Sequence, residues 1–320
     1  MGSAEKDEIP IVMICDNRYV FPTRIVIRSL FRSAHAGTRY RVFVLGVGLS
    51  EKNRRKLCRE NPAVEVLPLE TQSADICGKY THVSRAALYK FDIPELFPRH
   101  DKMLYLDSDL LIRGDLSRMF ATDLSGVYAG VVKELAAMEH GHHTKMGHSA
   151  YFNSGIMLLN LELCRQDGIR QKLWENKKNE KWAFVMDQDV LNQTFHEQVR
   201  YLPFRYNFMC FLSWFTDEKL REFFGEEAEQ VIAAKNGAPT ADYPVVVHFF
   251  SKRKPWRQFR CALFMRAWWQ HLTPWERHSR RIPLFFIKAT EKVLQRLGIL
   301  ESTTKQGKAA QRKQPSAKTT

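Results

Sequence analysis

Three features are scarce in this 320-residue chain, and each absence narrows the reading. No run of about 18 uncharged apolar residues occurs, so no membrane-spanning helix is expected. The first ten residues, MGSAEKDEIP, are polar and acidic and lack the apolar centre of a signal peptide. Asp7 and Glu8 also argue against myristoylation at the Met-Gly-Ser start. Cysteines number only six, at 15, 58, 77, 164, 210 and 261, with no close pairs. They read as reduced thiols rather than a disulfide framework or a zinc site. Net charge is missing from most of the chain. Residues 252–320 hold 17 Lys and Arg against 3 Asp and Glu, so the whole excess of +14 lies there and residues 1–251 are neutral. This asymmetry fits a neutral catalytic body with a basic appendage for an anionic surface.

What is present centres on Lys102–Arg113, KMLYLDSDLLIR. Met103–Leu106 is a short apolar run bounded by charge, which predicts a buried strand. The strand delivers Asp107 and Asp109 to its carboxyl end, where open α/β sheets bind ligands. Two acids between apolar runs are costly unless a cation neutralises them. Oxygen-binding Mg²⁺ or Mn²⁺ is the simplest candidate, and a solvated turn is the alternative.

The chain before this strand alternates elements. Ile9–Cys15 and Arg41–Val47 predict strands, with a helix from Pro22 to Ala34 between them. Ser50 can cap a polar helix over Glu51–Glu60, and Val64–Leu67 is a shorter strand. A β-α-β-α-β opening predicts an α/β fold, a mostly parallel sheet flanked by helices. Ser84–Pro98 predicts a helix ended by proline, and Val127–Val132 a strand. Glu139–His148 holds four histidines among glycines and reads as a lid, a surface loop or a metal site. Tyr151–Leu161 opens polar at Asn153-Ser154-Gly155 and becomes an apolar strand, then Leu163–Lys181 predicts a charged helix. Asp187-Gln188-Asp189 starts another helix, where acids also serve as dipole complements. Val245–Val247 is a strand ending in His248, six residues before Lys254 in a Lys-Pro-Trp turn. That pairing offers a third metal ligand and a cation for phosphate, against the simpler reading of a structural histidine.

Six motifs occur in order: ICDNRYV, LYLDSDLLIRGDL, YFNSGIMLLNL, DQDVLN, RYNFM and HFFSKRKPW. Together they resemble glycosyltransferase family 8, above all its bacterial enzymes that build lipopolysaccharide or lipooligosaccharide cores. The resemblance runs from Ile9 to Trp256. It implies a GT-A fold, a UDP-sugar donor, an Mn²⁺-type cation and retention of anomeric configuration. Carried over position by position, it makes Asp107, Asp109 and His248 metal ligands, and Lys254 a phosphate contact. Asp16 would meet the uracil ring, and Ser108 would lie at the ribose. Asn153, Asp187 and Gln188 would surround the transferred sugar, with Gln188 at the position once proposed as nucleophile. Arg18 stands where the family usually has Asn, Lys90 where it has Arg, and Ser251 where Gly is common. Arg18 and Lys90 keep or add positive charge beside a diphosphate. A glutamine amide is a poor nucleophile, so the expected mechanism is front-face attack with Gln188 stabilising an oxocarbenium-like sugar.

These readings divide the chain into a transferase domain over 1–256, basic and aromatic docking helices over 257–300 and a disordered tail over 301–320. In Pro283–Leu300, Leu284, Ile287, Leu294 and Leu297 repeat at helical spacing beside Lys288, Lys292 and Arg296. This is the composition of an interfacial membrane helix, where each cation adds about 1 kcal/mol near an anionic leaflet. The implied partners are a UDP-hexose, a lipid-linked saccharide and the inner face of the cytoplasmic membrane. Two other classes remain: a nucleic-acid-binding protein, which the neutral body disfavours, and a catalytically decayed transferase scaffold. No specific nucleic acid is expected.

Overall fold

The structure, a computed structural model, describes residues 8–69, 85–179, 187–250, 254–257 and 263–279. The chain forms two compact units, Met1–Lys254 and Pro255–Thr320.

The first unit opens with β1 (Glu8–Asp16), α1 (Val20–Ser33), β2 (Arg39–Val47), α2 (Glu51–Cys58) and β3 (Val64–Leu69). Ser50 caps α2 by accepting from the Asn53 amide. A 3-10 helix (Arg85–Asp92) runs into α3 (Ile93–Leu96), followed by β4 (Lys102–Leu106) and β5 (Leu110–Ile112). Next come α4 (Ser117–Phe120), β6 (Ala129–Lys133), α5 (Leu135–Glu139), α6 (His142–Lys145) and β7 (Phe152–Asn160). The rest comprises α7 (Leu161–Gln166), α8 (Ile169–Asn179), α9 (Gln188–Phe195), β8 (Val199–Tyr201), β9 (Phe208–Met209), α10 (Asp217–Phe224), α11 (Ala228–Lys235) and β10 (Val246–His248).

Seven strands form one sheet in the order β3-β2-β1-β4-β7-β6-β8. Pairing is parallel from β3 to β4 and between β6 and β8, while β7 runs antiparallel to both β4 and β6. Strands covered on both faces lose the in–out alternation. Accordingly Ile11, Val12 and Met13 are all fully buried, as are Ile156, Met157 and Leu158 of β7. Each such side chain contributes about 1.5–3 kcal/mol on burial. Reversal of β4 against β7 sets the carboxyl end of β4 beside the start of β7. Asp107 and Asn153-Ser154-Gly155 therefore meet, with the Asp107 amide donating to the Gly155 carbonyl at 2.8 Å.

A second sheet, β5-β10-β9, was not expected from such short runs. β10 lies antiparallel to β5 with His248 opposite Leu110, and parallel to β9 with His248 opposite Met209. This register carries His248 across 139 positions of sequence to Asp109, the residue just before β5.

Several predicted boundaries shift. The helix expected over Ser84–Pro98 is 3-10 up to Asp92 and α-helical only from Ile93. Pro94 lacks an N–H and sits in the first turn of α3, where none is needed. The charged helix expected over Leu163–Lys181 is two helices, because Gly168 at φ +61° breaks the path between α7 and α8. The histidine-rich segment contains part of α5 and all of α6 rather than a plain loop.

In the second unit, α12 (Met265–Trp269) is followed by helical residues 274–279. Trp268 is buried and stacks on Trp256 at 5.8 Å, whereas Trp275 is 76% exposed. The expected helix over Pro283–Leu300, the tail over 301–320 and Ser251 lie outside the described residues. Among the described residues no helix is long and apolar enough to cross a membrane.

Candidate active site

The site forms where the two sheets meet. Asp107 and Asp109 occupy the turn between β4 and β5, and His248 ends β10. One ligand atom from each lies within 4.8 Å of the others. Backbone bonds hold both sides of the turn: Gly155 accepts from the Asp107 amide, and the Phe249 amide donates to the Asp109 carbonyl at 3.0 Å. Gly155 leaves the necessary room. A Cβ there would stand 2.4 Å from His248 Cε1 and 2.8 Å from Asp107 Oδ2.

The two aspartates differ electrostatically. Burial opposes ionisation of Asp109, but its charged neighbours, Lys254 above all, outweigh it and hold the carboxyl well below the usual range. Lys254 Nζ bonds Asp109 Oδ2 and the Phe249 carbonyl, the latter at 2.7 Å. For Asp107, burial raises the carboxyl, Asp109 adds to this, and Lys90 offsets only part. The Tyr105 hydroxyl donates to Asp107 Oδ1 at 2.5 Å. Lys90 is buried, 3.4 Å from Asp107 Oδ1 and 2.6 Å from Asp187 Oδ2. Burial alone would lower this amine, but the two carboxylates more than compensate and raise it.

A chain of amides sets the polarity of the site. The Gly155 amide donates to Asn153 Oδ1 at 3.0 Å, which fixes that atom as an acceptor. Asn207 Nδ2 must then be the group donating to it at 2.9 Å. This leaves Asn207 Oδ1 facing His248 Nδ1 at 2.9 Å, so Nδ1 carries the proton. In the neutral imidazole Nε2 is then a lone pair, 3.2 Å from Asp109 Oδ1. That oxygen is buried and accepts no hydrogen bond. Two acceptors facing each other in a buried place are stabilised by a cation between them. The donor set therefore fits a divalent metal ion, which the carboxylates bias towards hard cations.

The other side of the site is a carboxylate–amide cluster. Asn153 Nδ2 donates to Glu134 Oε2 and Gln188 Oε1, both at 3.0 Å. Gln188 Oε1 also accepts from the Ser154 amide at 2.9 Å, and its Nε2 donates to Glu134 at 2.8 Å. Asp187 accepts from Lys90 and from Ser154 Oγ at 3.1 Å. The Tyr151 hydroxyl donates to Asp189 at 2.6 Å. Acids at the start of α9 thus bond to other elements; the Asp187 side chain makes no cap bond.

Asp107, Asp109, His248, Lys254, Lys90, Asn153, Asp187 and Gln188 therefore form one connected cluster. Asp16 and Arg18 sit at the carboxyl end of β1, with Asp16 Oδ1 accepting from the amides of Arg18 and Tyr19 at 2.8 and 3.1 Å. The Arg18 side chain is exposed. Ser108 is buried, donates to the Ile14 carbonyl at 3.1 Å and accepts from Thr23 at 2.9 Å. Its proton is thus spent within the protein, which leaves one lone pair to accept. Sequence reading missed Glu134, Asn207 and Tyr105. Glu134 directly follows β6, so the rule that ligands gather at strand carboxyl ends could have found it. Burial raises its carboxyl, with Asn153 and Gln188 offsetting part. Tyr105 lies two positions before Asp107 and so shares its side of the strand.

Residues 10–259 match the family model for glycosyl transferase family 8. The chain belongs to glycosyltransferase family 8. Among its relatives is glycosyltransferase GlyE of Streptococcus pneumoniae serotype 4, 29% identical over 195 residues, covering 61% of this chain and 43% of GlyE. Another is the lipopolysaccharide 1,2-glucosyltransferase of Escherichia coli, 27% identical over 204 residues, covering 61% of this chain and 55% of that protein. The chain thus spans about half the length of these two relatives. The galactosyltransferase LgtC, solved with donor and acceptor sugar analogues, superposes with a TM-score of 0.67 at 23% identity. That match covers 85% of this chain and all of LgtC, and shows a shared GT-A fold.

Proposed function

We propose that this family 8 protein is a metal-dependent retaining transferase that moves glucose or galactose from a UDP-sugar to a lipopolysaccharide-core hydroxyl. The carrying observation is the facing pair, His248 Nε2 and Asp109 Oδ1 at 3.2 Å, with Asp107 beside them and Lys254 behind. Asp107, Asp109 and His248 would hold Mn²⁺ or Mg²⁺. Such an ion, when bound, stabilises negative charge growing on a departing diphosphate. Lys254 adds a point charge beside the same group. Asp16, Arg18 and Ser108 are assigned to the nucleoside side, and Lys90 to the sugar side through its contacts with Asp187 and Ser154.

Gln188 is assigned a stabilising role. Its amide oxygen already accepts from Asn153 and from the Ser154 amide, so it is held in place and poorly available for bond formation. The acceptor hydroxyl then attacks from the face the UDP leaves, and a leaving phosphate oxygen takes its proton. Asn153, Asp187 and Gln188 orient the sugar during this step. The acceptor class rests on the likeness to the Escherichia coli glucosyltransferase. The basic region over 252–320 is assigned to an anionic membrane surface at the inner face of the cytoplasmic membrane, where a lipid-linked saccharide would be met. Sedimentation with phosphatidylglycerol vesicles tests that assignment.

The deciding assay is a donor screen with purified protein, Mn²⁺ and a panel of UDP-sugars, reading UDP release. One UDP-hexose is expected to be consumed, and Asp109→Ala to stop it. Activity retained in that variant removes the metal assignment.

A further inference from the structure

An aromatic file leads out of the site. The His248 ring lies 5.6 Å from Phe250, Phe250 lies 5.8 Å from Phe211, and Phe211 lies 6.1 Å from Trp214. Phe211 is buried, but Trp214 is 63% exposed, more than any other large hydrophobic described in the first unit. Its mounting is firm. The 3-10 helix Cys210–Trp214 follows β9, which pairs with the strand of His248. Leu212 is fully buried, and its carbonyl accepts from the Phe215 amide at 3.0 Å. Lys235 bonds the Phe215 carbonyl at 3.2 Å and also pairs with Asp217. Thr216 caps α10 by accepting from the Lys219 amide. Lys219 also bridges to Glu139 of α5 at 2.8 Å, with both side chains part-exposed.

We propose that Trp214, backed by Phe211 and Phe250, is a stacking platform for a pyranose ring of the acceptor saccharide. This rests on the transferase reading given above. A large exposed indole on an anchored turn keeps apolar area in water unless a partner covers it. It also offers a rigid, amphipathic contact with little side-chain entropy to lose. A pyranose fits it: one face is lined by C–H groups, and the rim carries hydroxyls that suit polar and charged neighbours such as those on α10. Continuity with His248 picks the acceptor as the source of that ring. Three ring-to-ring steps separate Trp214 from the metal-ligand position, so the stacked sugar belongs to the outer part of the acceptor. A nucleic acid is disfavoured because residues 1–251 carry no net charge. A membrane surface is disfavoured because, among the described residues of the first unit, the other exposed large hydrophobics, Leu96 and Tyr201, are only 38% exposed each.

The test is saturation-transfer NMR on the full chain with Mg²⁺ and UDP, titrating methyl β-glucopyranoside, methyl β-galactopyranoside and lactose. Trp214→Phe should keep the ring contact, within about threefold in Kd. Trp214→Leu, apolar but not aromatic, should weaken it about tenfold, equivalent to about 1.4 kcal/mol. Thermal melting confirms that both variants fold. The platform is overturned if Trp214→Leu binds saccharide like the parent, or if the parent binds UDP but no saccharide. It is also overturned if Trp214 fluorescence responds to phosphatidylglycerol vesicles and not to sugars. UDP signals in the same samples report on the transferase reading separately. Saccharide contact without UDP contact overturns that reading and keeps the platform.

Discussion

Asn207 is the most revealing residue to perturb. It is fully buried and joins His248, on the Asp107–Asp109 side of the site, to Asn153 on the Gln188 side. Replacing it with Ala removes the acceptor for His248 Nδ1–H and the donor to Asn153 Oδ1. The imidazole is then free to turn or to move its proton to Nε2, where it would block a metal. Losing such an outer partner typically costs 10–100-fold in metal affinity, or about 1.4–2.7 kcal/mol. Asn153 Oδ1 keeps the Gly155 amide, so the one orphaned group, His248 Nδ1–H, costs a further ~1–3 kcal/mol in stability. Asn207→Asp separates the two effects. Its carboxylate still accepts from Nδ1–H but cannot donate to Asn153, so metal affinity should stay nearer the parent while sugar transfer falls. Free Mn²⁺ counted by electron paramagnetic resonance gives the affinity, and chemical denaturation gives the stability. An Ala variant that folds and binds Mn²⁺ as tightly as the parent would refute the tautomer argument.

Other outcomes are expected. Gly155→Ala should fold but lose Mn²⁺ binding in the same resonance assay, because the new methyl meets the His248 ring and Asp107. Lys90→Gln leaves Asp187 buried without its charge partner and should lower unfolding free energy by about 3–5 kcal/mol in urea titrations. Asp115 gives an acid-stability signature. Burial works against its ionisation, but hydrogen bonds from Ser117 and the His35 amide hold its carboxyl down at about 2. A depressed carboxyl adds stability that is present above its unfolded value of about 3.9 and lost as pH falls through about 2. With solvent screening this is about 1–2 kcal/mol. Asp115→Asn should therefore show a shallower fall in melting temperature between pH 5 and pH 2.

Much of the site was legible because its residues sit in motifs at strand ends. Asp107 and Asp109 follow an apolar run and His248 ends one, so both sides of this three-residue cluster are marked by local pattern. What joins them was not legible. The pairing of β5 with β10 involves three residues on each strand, too few to signal a sheet. The contact of Lys90 with Asp187 was not legible either, since the two lie 97 positions apart and no periodicity announces it. Asn207 read as part of a polar–aromatic loop, since its role depends on two partners from other elements. The parallel half of the sheet followed from alternating elements. The antiparallel β7 did not, because a fully buried strand looks the same in either direction.

The central claim is that Asp107, Asp109 and His248 hold one divalent cation for a nucleoside diphosphate. Its most direct test is Mn²⁺ uptake measured with and without UDP on the parent and on Asp109→Ala. The account predicts a single site that tightens when UDP is added and disappears in the variant. Equal uptake by both proteins, or none by the parent in the presence of UDP, would contradict it.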